Sequence, residues 1–352
     1  MTLHLRVGFL SLVDAALLVA AADAGFAEAQ GLSLELVRDV SWSNLRDKLQ
    51  VRLLDAAHML APAAVAASLG LGGVRAPMAS PIGLNLNGNA LTLSARRFDE
   101  LARLAQGDLS DPAVSVQALA KLVERRRASG LPPLTFAAVF GFSSHTYLMA
   151  NWLAGAGLRL GEDIRFEVVP PVQTVEALSS SRVDGFCAGA PWNTVAVAAG
   201  VGAMLHAGVD LQPDCPEKIL AWRVDDLERR REAVTRLNAA ILAASDWASD
   251  PENHGRLATL LAAPARLDTR ADLIEALLGG ELLQGGGRPP RMIANYLRLD
   301  RAAIRPDPRH AAWILAGMRT AGQLAEEPDA DMLAAASAVF QPALYDATVS
   351  GR

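Results

Sequence analysis

Cysteine is scarce. The 352-residue chain has two, Cys187 and Cys215, too few for a disulfide framework and without the short paired spacing of a structural zinc site. A reducing compartment fits this usage. Positive charge is also in short supply: Lys+Arg 33 against Asp+Glu 38 gives a net charge of −5. The chain therefore lacks the basic surface that supplies affinity for phosphate backbones, which argues against direct nucleic-acid binding. Long apolar runs are missing as well, the longest near the start being Ala15 to Ala22, well below the ~18 residues that read as a bilayer span. Arg6 and the small residues Ala24 to Ala29 imitate a secretion signal, yet Asp14 interrupts its hydrophobic region. The expectation is a folded chain from residue 3 in the cytoplasm, without membrane insertion.

Catalytic signatures are absent too. There is no GxSxG, no HExxH, no phosphate-binding glycine loop, and no carboxylate-histidine cluster at ligand spacing. Gly70-Leu71-Gly72-Gly73 follows a helical stretch instead of opening one, and reads as a turn. Cys187 lies inside the apolar run Gly185 to Ala188, the setting of a buried structural thiol and not of a nucleophile. The residues predict neither an enzyme nor a metal site, and imply no cofactor.

What is abundant is core. With 51% hydrophobic and 20% charged residues, the chain has material for roughly two domains of about 150 residues each. Alternation through Leu3, Leu5, Val7 and Phe9 predicts a strand, and the spacing Ala15, Leu18, Ala22, Phe26 predicts a helix. A strand over Leu32 to Val37, a helix from an N-cap at Ser43 to Leu54, and a buried strand over Asp55 to Met59 follow. Further strands fall near Ile82 to Leu86 and Leu91 to Ser94. A second α/β set then runs to its last strand at Gly185 to Ala188, after which Lys218 to Val224 is extended and the remainder almost entirely helical. These elements divide into a discontinuous lobe I (1–91 and 213–352) and a lobe II (92–212) joined by a double connection. Strand ends facing each other across such a hinge form a ligand cleft.

Four polar positions fall at strand ends or helix starts and suit a small planar anion. Trp42 offers a flat wall and one N–H, or alternatively a hydrophobic plug. Asn89, in Asn87-Gly88-Asn89 at the crossover, has an amide that can donate to an oxyanion, though the tripeptide also reads as a tight turn. His145 follows Ser143-Ser144 in the first turn of a helix, where backbone N–H groups favour negative charge, or it merely caps that helix. Lys218, on the returning strand, supplies a full positive charge, or is a plain surface lysine.

Several stretches together resemble the nitrate- and bicarbonate-binding solute receptors of ABC transporters and their cytoplasmic relative, the nitrate/nitrite sensor of the assimilation operon. They are Ser41-Trp42 with Arg46-Asp47-Lys48-Leu49, Asp55 to Pro62, Leu84 to Asn89, Phe186 to Asn193, Pro216-Glu217-Lys218, and His310 to Trp313. The resemblance spans nearly the whole chain and implies a type II periplasmic-binding-protein-like α/β fold. It implies a nitrate or nitrite pocket at Trp42, Asn89, His145 and Lys218, with Asn89 where nitrate receptors usually carry Gln. Bicarbonate receptors resemble the chain too, but use an acidic residue near the Lys218 position with calcium, so Lys218 implies a metal-free monovalent anion. The sensor branch implies an antiterminator regulatory protein as partner, released when the anion binds. A transport receptor for nitrate/nitrite, or bicarbonate, is the alternative.

Overall fold

The computed structural model describes residues 2–351. Two five-stranded sheets form its frame. The first has the order β2-β1-β3-β11-β4, made of β1 (Leu3–Leu10), β2 (Leu32–Asp39), β3 (Ala56–Leu60), β4 (Met78–Ala79) and β11 (Lys218–Arg223). Strand β1 is parallel to β2 and β3, whereas β11 runs antiparallel between β3 and β4. Between β4 and the second sheet lies the short β5 (Leu86–Asn87). The second sheet has the order β10-β6-β9-β7-β8, from β6 (Asn89–Ser94), β7 (Thr135–Ala138), β8 (Arg165–Val168), β9 (Gly185–Gly189) and β10 (Gly202–Ala207). Here β6 is antiparallel to both neighbours, while β7 pairs in parallel with β8 and β9.

The central strands β3 and β9 are buried throughout and read as short, nearly continuous apolar runs, whereas the edge strands β2 and β8 keep exposed polar positions. On one face of the first sheet, Leu5, Val7 and Phe9 pack with Leu18 and Ile241. On the other, Ala57 and Met59 meet Leu45, Leu49 and Val65. At Gly8 the second layer comes close, since a Cβ there would stand 2.5 Å from terminal methyls of both Leu45 and Leu54 and these would have to shift. In the second sheet Leu91, Leu93 and Phe136 pack on Leu119, Met149 and Trp152. The carboxyl ends of β1, β2 and β3 and the start of β11 face the start of β6, the end of β9, and the helix Ser144–Ala154.

Three expectations need correction. The helix after β2 spans Trp42–Gln50 with Ser41, not Ser43, as N-cap. Ser41 is extended and its hydroxyl accepts from Asn44 N at 3.3 Å, whereas Ser43 already lies within the first turn. That helix stops before Leu54 because Arg52 takes a positive φ of 63°. Second, Gly185–Gly189 is not the last strand of its set. Gly202–Ala207 adds β10, an alanine- and glycine-rich segment whose strand character comes from antiparallel pairing with β6. Third, the strand expected from Ile82 narrows to Leu86–Asn87.

Candidate functional site

All four residues singled out in the sequence reach one buried cluster between the two sheets, together with three that the sequence reading did not select: Asp14, His58 and Glu217. None of the seven is more than 2% exposed.

Lys218, the first residue of β11, is the centre. Its Nζ lies 2.7 Å from Asp14 Oδ2 and also pairs with Glu217 Oε1. Asp14 sits just beyond β1 in a short turn of helix (Val13–Ala15), and its Oδ1 is 3.0 Å from His58 Nε2, a contact not aligned as a hydrogen bond. His58 is in the middle of β3, with its ring tilted against Trp42 at 5.3 Å between centroids. The Lys218 ammonium stands 5.4 Å from the Trp42 ring centre, within cation–π range. Trp42 is thus a wall of the cluster, and it also belongs to the apolar layer that holds Leu45 and Leu49.

Local sequence explains how Trp42 is set. Asp39, at the end of β2, accepts from Val40 N at 2.7 Å, Asn44 Nδ2 at 3.1 Å and Lys48 Nζ at 2.6 Å. These bonds pin the strand-to-helix turn and hold the Asp39 carboxyl below its usual range despite partial burial. Trp42 is then the first residue of a helix whose start cannot swing.

The second sheet supplies neutral groups. Asn89, which opens β6, donates from Nδ2 to Glu217 Oε2 at 2.6 Å, leaving its Oδ1 unpartnered. The amide therefore orients Glu217 and keeps one N–H in reserve. His145 lies in the first turn of Ser144–Ala154, with Ser143 as N-cap accepting from Thr146 N at 3.2 Å. Ser144 Oγ donates across to the Pro216 carbonyl at 2.6 Å, which brings His145 Nδ1 to 3.9 Å from Glu217 Oε1. Neither ring nitrogen of His145, nor Trp42 Nε1, has a hydrogen-bond partner. Gly189, at the end of β9, closes the other side, where a Cβ would come 3.1 Å from Asp14 Oδ2 and 3.6 Å from Asn89 Oδ1.

Burial pushes the Asp14 carboxyl up, but Lys218 and His58 outweigh it and hold it at about 2. Glu217 is likewise held below its ordinary value, with Lys218 and His145 overcoming burial. Lys218 is raised, because its two carboxylates outweigh desolvation. For His145 burial wins over Glu217, bringing the imidazole down to about 4, and His58 is lowered for the same reason. Near pH 7 the cluster holds two carboxylates, one ammonium and two neutral imidazoles.

The donor set does not suit a divalent cation such as calcium: Lys218 occupies the position between the two carboxylates that the metal would need. Among the described residues no group of three or more His, Cys, Asp or Glu is arranged to hold a metal. Cys187 is buried in β9, and burial pushes its thiol far above the range of a thiolate nucleophile. No described helix is long and apolar enough to cross a membrane. A surface cavity of about 550 Å³, lined by Val74, Pro77 and Val224 among others, borders none of the seven residues. With all seven residues at most 2% exposed, the cluster is closed off from solvent.

Asp14, His58 and Glu217 gave little sequence signal. The one available clue was a lone acid in the apolar start of the chain, and an acid next to Lys218 on a strand with an otherwise apolar continuation.

Comparison with known proteins gives the family and the fold. The NMT1-like family model matches residues 2–262. The nitrate/nitrite binding protein NrtA of Nostoc is 30% identical over 323 residues, covering 89% of this chain and 70% of the relative. The nitrate import ATP-binding protein NrtC of Synechocystis is 29% identical over 316 residues, and there the match spans 45% of the relative's length. The crystal structure of the periplasmic nitrate-binding protein NrtA from Synechocystis superposes with a TM-score of 0.89 at 25% identity, covering 99% of this chain and 89% of that one. The fold is thus the α/β fold of periplasmic binding proteins, and the chain belongs to the NMT1-like family, homologous to the nitrate-binding receptors of ABC transporters.

Proposed function

We propose that the chain is a receptor for a small planar monovalent oxyanion, nitrate or nitrite, held between lobe I (1–91 and 213–352) and lobe II (92–212). One observation carries this: Trp42 Nε1 and both nitrogens of His145 are buried, without partners, around a fully buried ammonium. Such groups are costly unless a ligand satisfies them. Lys218 has one N–H beyond the two it gives to Asp14 and Glu217, Trp42 covers the plane of the ion, and His145 and the spare amide hydrogen of Asn89 complete the donors. The related NrtA proteins, named for nitrate and nitrite binding, support this ligand class.

The receptor reading is preferred to the sensor reading. Relatives named for nitrate or bicarbonate import favour a transport role, while control of an antiterminator draws on the sequence resemblance alone. The relatives also favour binding over catalysis.

Calorimetric titration with nitrate, nitrite and bicarbonate, each with and without calcium, tests the ligand. Tight binding of nitrate or nitrite without metal is expected. Calcium-dependent bicarbonate binding, or none of the three, would overturn the assignment.

A further inference from the structure

The ionised groups of the cluster do not balance. Asp14 and Glu217 share a single ammonium, Lys218, and the other cations that can act on them are the two imidazoles, His58 and His145. With both imidazoles neutral the cluster carries one net negative charge before a ligand arrives. A monovalent oxyanion would bring a second into a site closed to water, where a charge without a partner is strongly unfavourable.

His145 is placed to correct this. It is fully buried, and both ring nitrogens are free of hydrogen bonds. The charged groups that face it come from the first sheet and its approaches: Glu217 at 3.9 Å, with Lys218 and Asp14 beyond. On its own helix Ser144 is committed to Pro216. The thiols of Cys187 and Cys215 and the phenol of Tyr296, around the same carboxylates, are kept neutral by burial. His58, the other imidazole, also has no aligned hydrogen bond, but its Nε2 already faces the Asp14 carboxylate at 3.0 Å.

We propose that the anion enters this site together with a proton taken from solvent, which forms an N–H bond on His145 and leaves an imidazolium between Glu217 and the bound anion. This rests on the oxyanion reading above and adds to it that the working ligand is anion plus H⁺. The arithmetic is consistent. Burial holds the free His145 at about 4, and a full negative charge at hydrogen-bond distance shifts a protonation equilibrium by roughly a thousandfold, enough to bring the ring into the neutral range. Between about pH 4 and pH 7 the ring is then protonated only in the complex, so affinity falls as pH rises. Above that window the ring is neutral in both states and the dependence levels off.

The test uses nitrate, which stays fully ionised throughout. Calorimetry of the full chain at pH 6 in PIPES and in imidazole buffer, which differ in ionisation enthalpy, counts the protons exchanged. Uptake of close to one proton per nitrate is expected, with a Kd that weakens roughly tenfold per pH unit between pH 5 and pH 6.5. Nitrate binding with no proton uptake and a flat pH profile would overturn this inference while leaving the receptor reading intact; no nitrate binding at any pH would overturn both. In His145→Gln, weaker binding with uptake abolished is expected, whereas undiminished uptake would remove the proton from His145. The two-buffer comparison on the unaltered chain stands whether or not that variant folds.

Discussion

Two histidines of this molecule share burial and a depressed basicity but differ in company. His145, between the sheets, and His206, inside the second sheet's layer, are each held at about 4 by desolvation. His206 Nε2 is 2.6 Å from Ser115 Oγ, which also accepts from Trp152 Nε1 at 3.1 Å and donates to the Pro112 carbonyl at 3.0 Å. That hydroxyl is saturated, which suits a structural tie and not a nucleophile. His145 has no such tie, and it points at a carboxylate next to the only lysine in the cluster. Depressed basicity alone therefore does not mark a binding residue; the state of its hydrogen bonds does.

The sharpest way to probe this contrast is to remove the charge that separates the two sites. Lys218→Met leaves Asp14 and Glu217 buried without their ammonium, and breaking such an arrangement costs about 3–5 kcal/mol. Loss of nitrate binding together with a large drop in the thermal midpoint is expected, measured by calorimetry and by circular dichroism melting. Next comes the exchange of the two histidines. His145→Gln is expected to weaken nitrate binding at least about tenfold, the effect of one lost charge-assisted bond. His206→Gln is expected to leave affinity unchanged but to cost about 1–3 kcal/mol through the lost bond at Ser115 Oγ and the altered packing around it. The opposite pattern would collapse the comparison.

Acid sensitivity follows with its sign. Both histidines are lowered from 6.5 to about 4 in the folded state, so the unfolded chain binds the extra protons, and stability is lost as pH falls from 6.5 through 4. Asp14, lowered from 3.8 to about 2, adds stability that is present above 3.8 and lost as pH falls through 2, on the order of 2 kcal/mol. Urea midpoints measured from pH 7 down to pH 3 should decline in that order, and His206→Gln should flatten the upper part. The smallest effect is expected from Gly189→Ala: a methyl 3.1 Å from Asp14 Oδ2 crowds the cluster for about 1 kcal/mol and a several-fold loss of nitrate affinity, read by the same titrations.

Much of the frame was legible in the chain. Alternation announced β1, and the buried run around His58 announced β3, because strands covered on both faces must be apolar throughout. The step from Ser41 to Trp42 was nearly right, missing only which serine was extended enough to cap. Strand β10 escaped because its composition resembles a helix and its pairing with β6 is a tertiary fact. In the cluster, Trp42, Asn89, His145 and Lys218 stand at strand ends and helix starts, where local pattern exposes them. Asp14 and Glu217 escaped because an acid's role depends on which cation the fold brings to it, and Lys218 meets Asp14 only when β11 returns to the first sheet.

The bond from Ser144 to the Pro216 carbonyl bears on timing. It joins the helix that carries His145 to the segment that carries Glu217 and Lys218, while Trp192 Nε1 donates to the Ser11 carbonyl at 3.1 Å and Val13 N to that of Ala190 at 2.9 Å on the opposite rim. If an ion is held there as proposed, these bonds span its way out between the sheets, and Ser144→Ala or Trp192→Phe would be expected to shorten the lifetime of the complex without touching a group that recognises the ion.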